Sequence, residues 1–400
     1  MKKINVLLVI RKGQPELDWI APVLYQMRST LNIYIFLSTE TILPKIEKNP
    51  NYLILKQITK KVFWPKKMEN LFWKILSKFL RIIKINISST LSTFIYKKIH
   101  NIENLKKNIG LNREFDFVFT EYGNNSSWVK ALFEYKKKPI IFNYPSSPLT
   151  FFQRKGFEFY KKKLFCDYVF LITKYDFNYW SKAIDKSKMI SIGNPSYDPW
   201  WLKKIEKKNK VKFIDKRKKI LFAYNSDFGL LPKNKEYLLE DDLNSFMKIF
   251  TSDDQFKNSK LIFKIHPFRN NPRYLNILKN YDKKFWEIKN DPLILLARNT
   301  DAVLSSFDSS ALLDGLYSGK PSIEFFRSFN NKTTFPKVSL HQIVGISVSM
   351  TKKNIKSLII KALFKPNNII WKKQKKIFNK IYSTNKNSSN IANEVILKKY

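Results

Sequence analysis

The chain holds 400 residues, 44% of them hydrophobic, and sets 74 Lys and Arg against 32 Asp and Glu for a formal net charge of +42. That length and apolar content exclude a disordered chain and favour two domains, each able to bury a core. A single cysteine, Cys166, excludes a disulfide framework, and lysines interrupt every long apolar stretch short of the ~18 residues a membrane-crossing helix needs.

Met1-Lys2-Lys3 leads into "INVLLVI" with no secretory leader, so a cytoplasmic location is expected. The charge is mostly lysine, spread over the whole length beside abundant Asn and Ile and only nine Gly. That spread reads as compositional drift of a solvated surface, and no specific nucleic-acid partner is expected. The same lysines suit a peripheral position on the inner face of a cell membrane, where each contributes about 1 kcal/mol near anionic lipid.

In chain order, "INVLLVI" (4–10) predicts a strand, "RKGQPELD" a loop, residues 19–28 a helix with Asp18 as N-cap, and "IYIFLS" (33–38) a second strand. A basic amphipathic insertion follows at about 53–106, where Trp64, Phe72, Trp73, Leu76, Phe79 and Leu80 recur near helical spacing among lysines. Two accounts stay open for it: an anionic membrane interface, or a helix packed on the first domain with a lysine-rich solvent face. Strands then follow at "FDFVFT" (115–120), "PIIFNY" (139–144), "YVFLIT" (168–173) and "MISIGNP" (189–195), with a helix at about 128–135.

After a charged, proline-bearing stretch at 194–219 the alternation restarts with "ILFAYN" (220–225), "LIFKIHP" (261–267), "AVLSS" (302–306) and "PSIEFF" (321–326). Continuously apolar strands alternating with helices imply parallel sheets covered on both faces. The expected fold is α/β, two doubly wound Rossmann-like domains facing a central cleft. Residues 1–200 form the amino-terminal, acceptor-side domain, residues 218–365 the nucleotide-donor domain, and residues 366–400 a helical tail. Ligands of such sheets lie beyond the carboxyl ends of the strands.

Two constellations fall at such ends. In "AVLSSFDSSALLDG", Ser305, Ser306, Ser309 and Ser310 surround a strand-to-helix turn, where hydroxyls and helix N–H groups can meet phosphate. Asp314 lies four residues after Ser310 on the same helical face, placed to accept from a ribose. A well-capped helix with an incidental acid accounts for the same residues. In "KIHPFRNNPR", Lys264, His266, Pro267 and Arg269 close a strand, and this is one of only three histidines in the chain. Near neutral pH a histidine can stay uncharged or donate a proton.

The ordered pair "KIHP" and "SSALLDGLYSGKP" resembles the carboxy-terminal half of the CDP-glycerol glycerophosphotransferase and capsule-polysaccharide transferase group, which has the GT-B fold. Ser309, Ser310, Asp314, Lys320 and Pro321 match that pattern, and Gly193, Pro195 and Asp198 match a Gly-x-Pro-x-x-Asp that the UDP-N-acetylglucosamine 2-epimerases share. The likeness covers roughly residues 190–325. It departs where Asp308 stands next to the serines, and where "AYNSDFG" replaces Pro-Thr-Trp-Arg. His-Pro with Ser-Ser is also similar to bacterial sialyltransferases and Kdo transferases.

The resemblance implies a transferase that moves a sugar or polyol phosphate from a nucleotide-activated donor, CMP-, CDP- or UDP-linked, to a glycan or lipid-linked acceptor of the cell surface or capsule. Lys264, Pro267, Arg269, Ser305, Ser306, Ser309, Ser310, Asp314 and Asn225 would bind the donor, and His266 would meet the charge of the leaving group. Asp18, Glu121 and Asp227 are the candidate bases. No cofactor and no metal are expected, and Asp241-Asp242 reads as surface charge. The alternatives are a nucleotide-sugar 2-epimerase-like isomerase of the same fold and a non-enzymatic polyanion-binding protein.

Overall fold

A computed structural model of the chain describes residues 3–11, 13–64, 114–121, 139–145, 166–173, 176–181, 184–224, 239–265, 273–306, 309–326, 338–382 and 387–400. It divides into two compact units, Met1–Ile205 with Ser383–Tyr400, and Glu206–Tyr382.

In the first unit, β1 (Ile4–Ile10), α1 (Gln14–Gln26), β2 (Leu31–Leu37), α2 (Leu43–Ile46), α3 (Pro50–Lys56) and β3 (Thr59–Phe63) are followed by β4 (Phe117–Glu121) and β5 (Ile140–Tyr144). Then come β6 (Tyr168–Leu171), α4 (Asp176–Trp180), β7 (Met189–Ser191) and α5 (Pro199–Lys208). The seven strands are all parallel, ordered β3-β2-β1-β4-β5-β6-β7. β1 is buried from end to end, so its sequence is an apolar run and not an alternation. Its one polar residue, Asn5, bonds across the sheet: its N–H donates to Asp116 at 2.7 Å and its side-chain amide to the Glu114 carbonyl at 3.1 Å. Rings thicken the core beyond β4, where Phe142 stacks on Phe119 at 5.3 Å and on Phe170 at 5.1 Å.

The second unit contains β8 (Lys218–Tyr224), α6 (Leu239–Ser252), β9 (Ser259–Ile265), α7 (Arg273–Lys279), β10 (Trp286–Ile288) and α8 (Leu293–Arg298). It continues through β11 (Ala302–Ser305), α9 (Ala311–Tyr317), β12 (Ser322–Glu324), α10 (Leu340–Ile343), β13 (Val348–Ser349), α11 (Ile355–Phe364) and α12 (Ile369–Ile381). Its parallel sheet is ordered β10-β9-β8-β11-β12-β13, and Phe222, Phe246, Phe263 and Phe325 share its core. Gly315 lets α9 lie close on this sheet, because a Cβ there would stand 2.8 Å from Val303 Cβ. Both sheets reverse direction after their third strand, between β1 and β4 and between β8 and β11, the doubly wound order of a dinucleotide-binding fold.

Several expectations are corrected. The first helix starts at Gln14 and not at residue 19, and Asp18 is not its N-cap. Glu16 reaches back instead, accepting from the N–H groups of Arg11 at 2.8 Å and Gly13 at 3.1 Å, and Gly13 takes φ 114, which glycine adopts without strain. Asp242 is not surface charge: it is buried in α6, with Lys352 Nζ 3.5 Å away. The short strands β3, β10 and β13 were not expected at all. The helix at 128–135 and the insertion beyond residue 64 lie outside the described residues.

The final helix, α13 (Ser388–Lys399), belongs to the first unit and packs on α1. Asp198 holds its start: the N–H groups of Ser388 and Ser389 donate to the Asp198 carboxylate at 3.1 and 2.9 Å, and the Ser389 hydroxyl donates to it as well. The Gly-x-Pro-x-x-Asp acid thus caps a helix 190 residues further along.

Candidate functional site

The second sheet assembles the two sequence motifs by register. Lys264 pairs with Ala223, Ala223 with Ser305, Ser305 with Glu324, and Glu324 with Ser349. These residues form one transverse row at the carboxyl edge of the sheet, with side chains on one face because register partners share a face. Lys264 and Ser305 are two strands apart, about 10 Å at the usual spacing, with the crossover point at β8 and β11 between them. His266 follows Ile265, the last residue of β9. His266 itself, with Asn225, Asp227, Pro267 and Arg269, lies outside the described residues.

The serines divide into two kinds. Ser305 and Ser306 are buried and fastened to the sheet: the Ser306 N–H and hydroxyl both donate to the Ala223 carbonyl, at 3.1 and 3.3 Å, and the Ser305 carbonyl accepts from Phe325 at 2.7 Å. Ser309 and Ser310 lie outside the sheet, half-buried. Ser309 caps α9, its Oγ accepting from the Ala311 N–H at 3.3 Å. The next two amides turn back on the same pair, Leu312 to the Ser309 carbonyl at 3.2 Å and Leu313 to the Ser310 carbonyl at 2.9 Å. Ser310 makes no side-chain capping bond, so among the described residues its hydroxyl is the one of the four with no bond to the fold. Asp314 is half-buried on α9, and Lys264 Nζ donates to the Asn290 carbonyl at 2.8 Å.

Glu324 was not among the expected residues. It is buried beside Ser305, and its Oε2 accepts from the hydroxyls of Ser339 at 2.7 Å and Ser347 at 2.6 Å. Buried His341 stands with Nδ1 3.8 Å from Glu324 Oε1, and neither ring nitrogen is hydrogen-bonded among the described residues. No pattern in "PSIEFF" signals this network, because its partners come from a loop and a short helix after the strand.

The first sheet gathers acids at its own crossover point. Glu121 ends β4 and pairs in register with Tyr144 at the end of β5, and Glu16 follows β1 in the first turn of α1. Glu121 is only 4% exposed. Burial pushes the Tyr144 phenol well above its ordinary range, and the nearby carboxylates of Glu16 and Glu121 push it further. Trp19 stacks on the Tyr144 ring at 5.6 Å, and the Tyr144 hydroxyl finds no hydrogen-bond partner among the described residues. Asp18 is occupied elsewhere: its Oδ1 accepts from the side-chain amides of Asn51 at 2.6 Å and Asn49 at 3.2 Å. Among the described residues no group of three or more His, Cys, Asp or Glu could hold a metal ion, and no helix is long and apolar enough to cross a membrane.

With this geometry in hand the fold is GT-B-like, two Rossmann-like domains built on separate parallel sheets. Solved structures share it. The chain is similar to MnaA of S. aureus, in a co-structure with UDP, at 13% identity and a TM-score of 0.60, covering 100% of this chain and 98% of that one. It is similar to the UDP-N-acetylglucosamine 2-epimerase of Rickettsia bellii at 13% identity and a TM-score of 0.55, covering 99% and 96%. The wall teichoic acid polymerase TagF, soaked with CDPG, aligns at 12% identity and a TM-score of 0.54, covering 98% and 88%. No protein-family model and no curated protein matches the sequence.

Proposed function

We propose that this protein is a transferase that moves a sugar or polyol phosphate from a nucleotide-activated donor to a glycan or lipid-linked acceptor. The observation that supports this most directly is the register row Lys264-Ala223-Ser305 at the crossover point of the second sheet, with His266 and the Ser309-Ser310 turn each following a strand of that row. The donor's phosphates would meet Lys264, Arg269 and the Ser310 hydroxyl, its ribose Asp314, and its departing charge His266. Fixed donors of this kind stabilise a leaving phosphate by preorganisation, without waiting for solvent to reorient. Glu121 is the base we favour for the acceptor hydroxyl, since Asp18 is already spent on Asn49 and Asn51.

A screen of CMP-, CDP-, UDP- and GDP-linked compounds by thermal shift tests the donor class. A ligand present at a hundred times its dissociation constant adds about 2.7 kcal/mol of stability, so one nucleotide should stand out from the rest. No stabilisation by any of them would reject the proposal.

A 2-epimerase-like isomerase is the second reading, favoured by the acids Glu16 and Glu121 at one sheet edge, since ring chemistry needs more than one acid near the sugar. The two separate cleanly: an isomerase converts the nucleotide sugar with no acceptor present, and a transferase turns over only when an acceptor is added.

A further inference from the structure

The connection from α11 to α12 presents an unusual surface. α12 is held firmly by its inner face: Trp371 Nε1 donates to the Lys361 carbonyl at 3.2 Å, and the Gln374 amide donates to the carbonyls of Ser322 at 2.6 Å and Ile346 at 2.9 Å. Phe378 packs edge-on against Tyr317 at 4.8 Å. The outer face is therefore fixed in direction. At 100° per residue, Ile369, Lys373, Lys376 and Lys380 run down a narrow stripe opposite those buried residues, with Lys372 beside it. All five are exposed, Ile369 by 74%, and Phe364 at the end of α11 is 48% exposed.

The stripe lacks counter-charge. Residues 355–382 contain no Asp or Glu, and Lys372, Lys373, Lys376 and Lys380 enter no ion pair among the described residues. By contrast, Lys356 on α11 pairs with Asp253 at 2.7 Å and Lys352 with Asp242 at 3.5 Å. Ile369 opens the stripe at the first residue of α12 and Phe364 precedes it at the end of α11, so two exposed apolar side chains stand at one end of a lysine face. The apolar residues buried on α12, Trp371, Phe378 and Ile381, lie on its other side.

We propose that Phe364, Ile369, Lys372, Lys373, Lys376 and Lys380 form a docking surface for an anionic lipid bilayer. The two apolar side chains enter the boundary between headgroups and acyl chains while the lysines lie among the anionic headgroups, the arrangement of an interfacial helix. Charge complementarity alone would also suit a nucleic acid. The two exposed apolar side chains beside the lysines decide for lipid, because an aliphatic side chain adds nothing to a grip on phosphates, and the surface holds a single aromatic ring and no arginine.

The test is flotation of the full chain with phosphatidylcholine vesicles, with and without phosphatidylglycerol. Binding should need the anionic lipid, and Lys373→Gln, Lys376→Gln and Lys380→Gln together should weaken it about a hundredfold, about fivefold for each lysine. Phe364→Ser with Ile369→Ser should also weaken it while leaving its salt dependence in place. All five substitutions are on exposed positions, so the fold should be retained and melting temperatures should not fall. Insertion is read separately by placing an environment-sensitive dye on Ile369→Cys, since the protein's own thiol, Cys166, is buried. The dye should shift to the blue with anionic vesicles and stay unshifted with a single-stranded oligonucleotide. Equal binding to neutral vesicles, unaltered binding by the lysine variant, or a dye response to the oligonucleotide alone would each overturn the proposal.

Discussion

Ser310 and His266 separate binding from chemistry under the proposed function. The Ser310 hydroxyl caps nothing in α9 and has no bond among the described residues, so Ser310→Ala should weaken donor binding by about 1–3 kcal/mol, the usual cost of depriving a charged acceptor of a hydrogen bond, and leave stability unchanged. Ser309→Ala should cost about 1 kcal/mol of stability as well, because that side chain caps α9. His266→Ala should act on turnover, by about a hundredfold or more, with a much smaller change in donor affinity; steady-state kinetics over a range of donor concentrations read both. Asp176 makes a prediction about pH. Burial pushes its carboxyl up to about 7 from an ordinary 3.8, although the Thr173 N–H and hydroxyl both donate to it. The folded chain therefore holds this proton more tightly than the unfolded chain between about pH 4 and 7. Its contribution is fully present below that window and is lost as pH rises through it. Asp176→Asn keeps an acceptor for Thr173 and has no proton to lose, so its melting temperature should gain on the parent protein from pH 4 to 7 and run parallel above.

At the scale of elements, two contacts carry predictions. Gly315→Ala should destabilise the second unit by about 1–3 kcal/mol, because the new methyl would meet Val303 Cβ on a packed strand and outweigh the gain in helix propensity; a denaturant midpoint reads the balance. Asp198→Ala strips the start of α13 of its acceptor and leaves two buried N–H groups without a partner. Amide exchange should then rise along residues 388–399 before it rises in the sheet. The apolar strands and their alternation with helices were legible in the sequence because both faces of each are covered. β3, β10 and β13 were not, being short strands at or near the edges, and the "TKKVF" of β3 holds two lysines that mask any apolar run. The row through Lys264 and Ser305 was legible as two strand ends, but the fact that they share a row depends on register. The Asp198 cap was illegible altogether, since its partners follow 190 residues later.

The whole molecule carries a charge of +42, and that sets a third kind of expectation. Self-repulsion on this scale opposes compactness, and salt relieves it within a Debye length. Melting temperature should climb with added monovalent salt, whereas a chain near neutrality would scarcely respond. Donor binding should localise within this frame: amide protection on adding the stabilising nucleotide should concentrate at residues 221–224, 263–265 and 304–305, the carboxyl ends of β8, β9 and β11, and at 309–311, where α9 begins. The return of α13 to the first unit has a consequence for the order of biosynthesis. Residues 206–382 are continuous and can close their sheet as soon as they leave the ribosome. The first unit, although it is made earlier, lacks its last helix until residues 388–399 emerge, so Asp198 and the surface of α1 stay uncovered throughout the making of the second unit. The half synthesised first is therefore the half finished last, and a nascent chain stalled in between would expose that surface to chaperones.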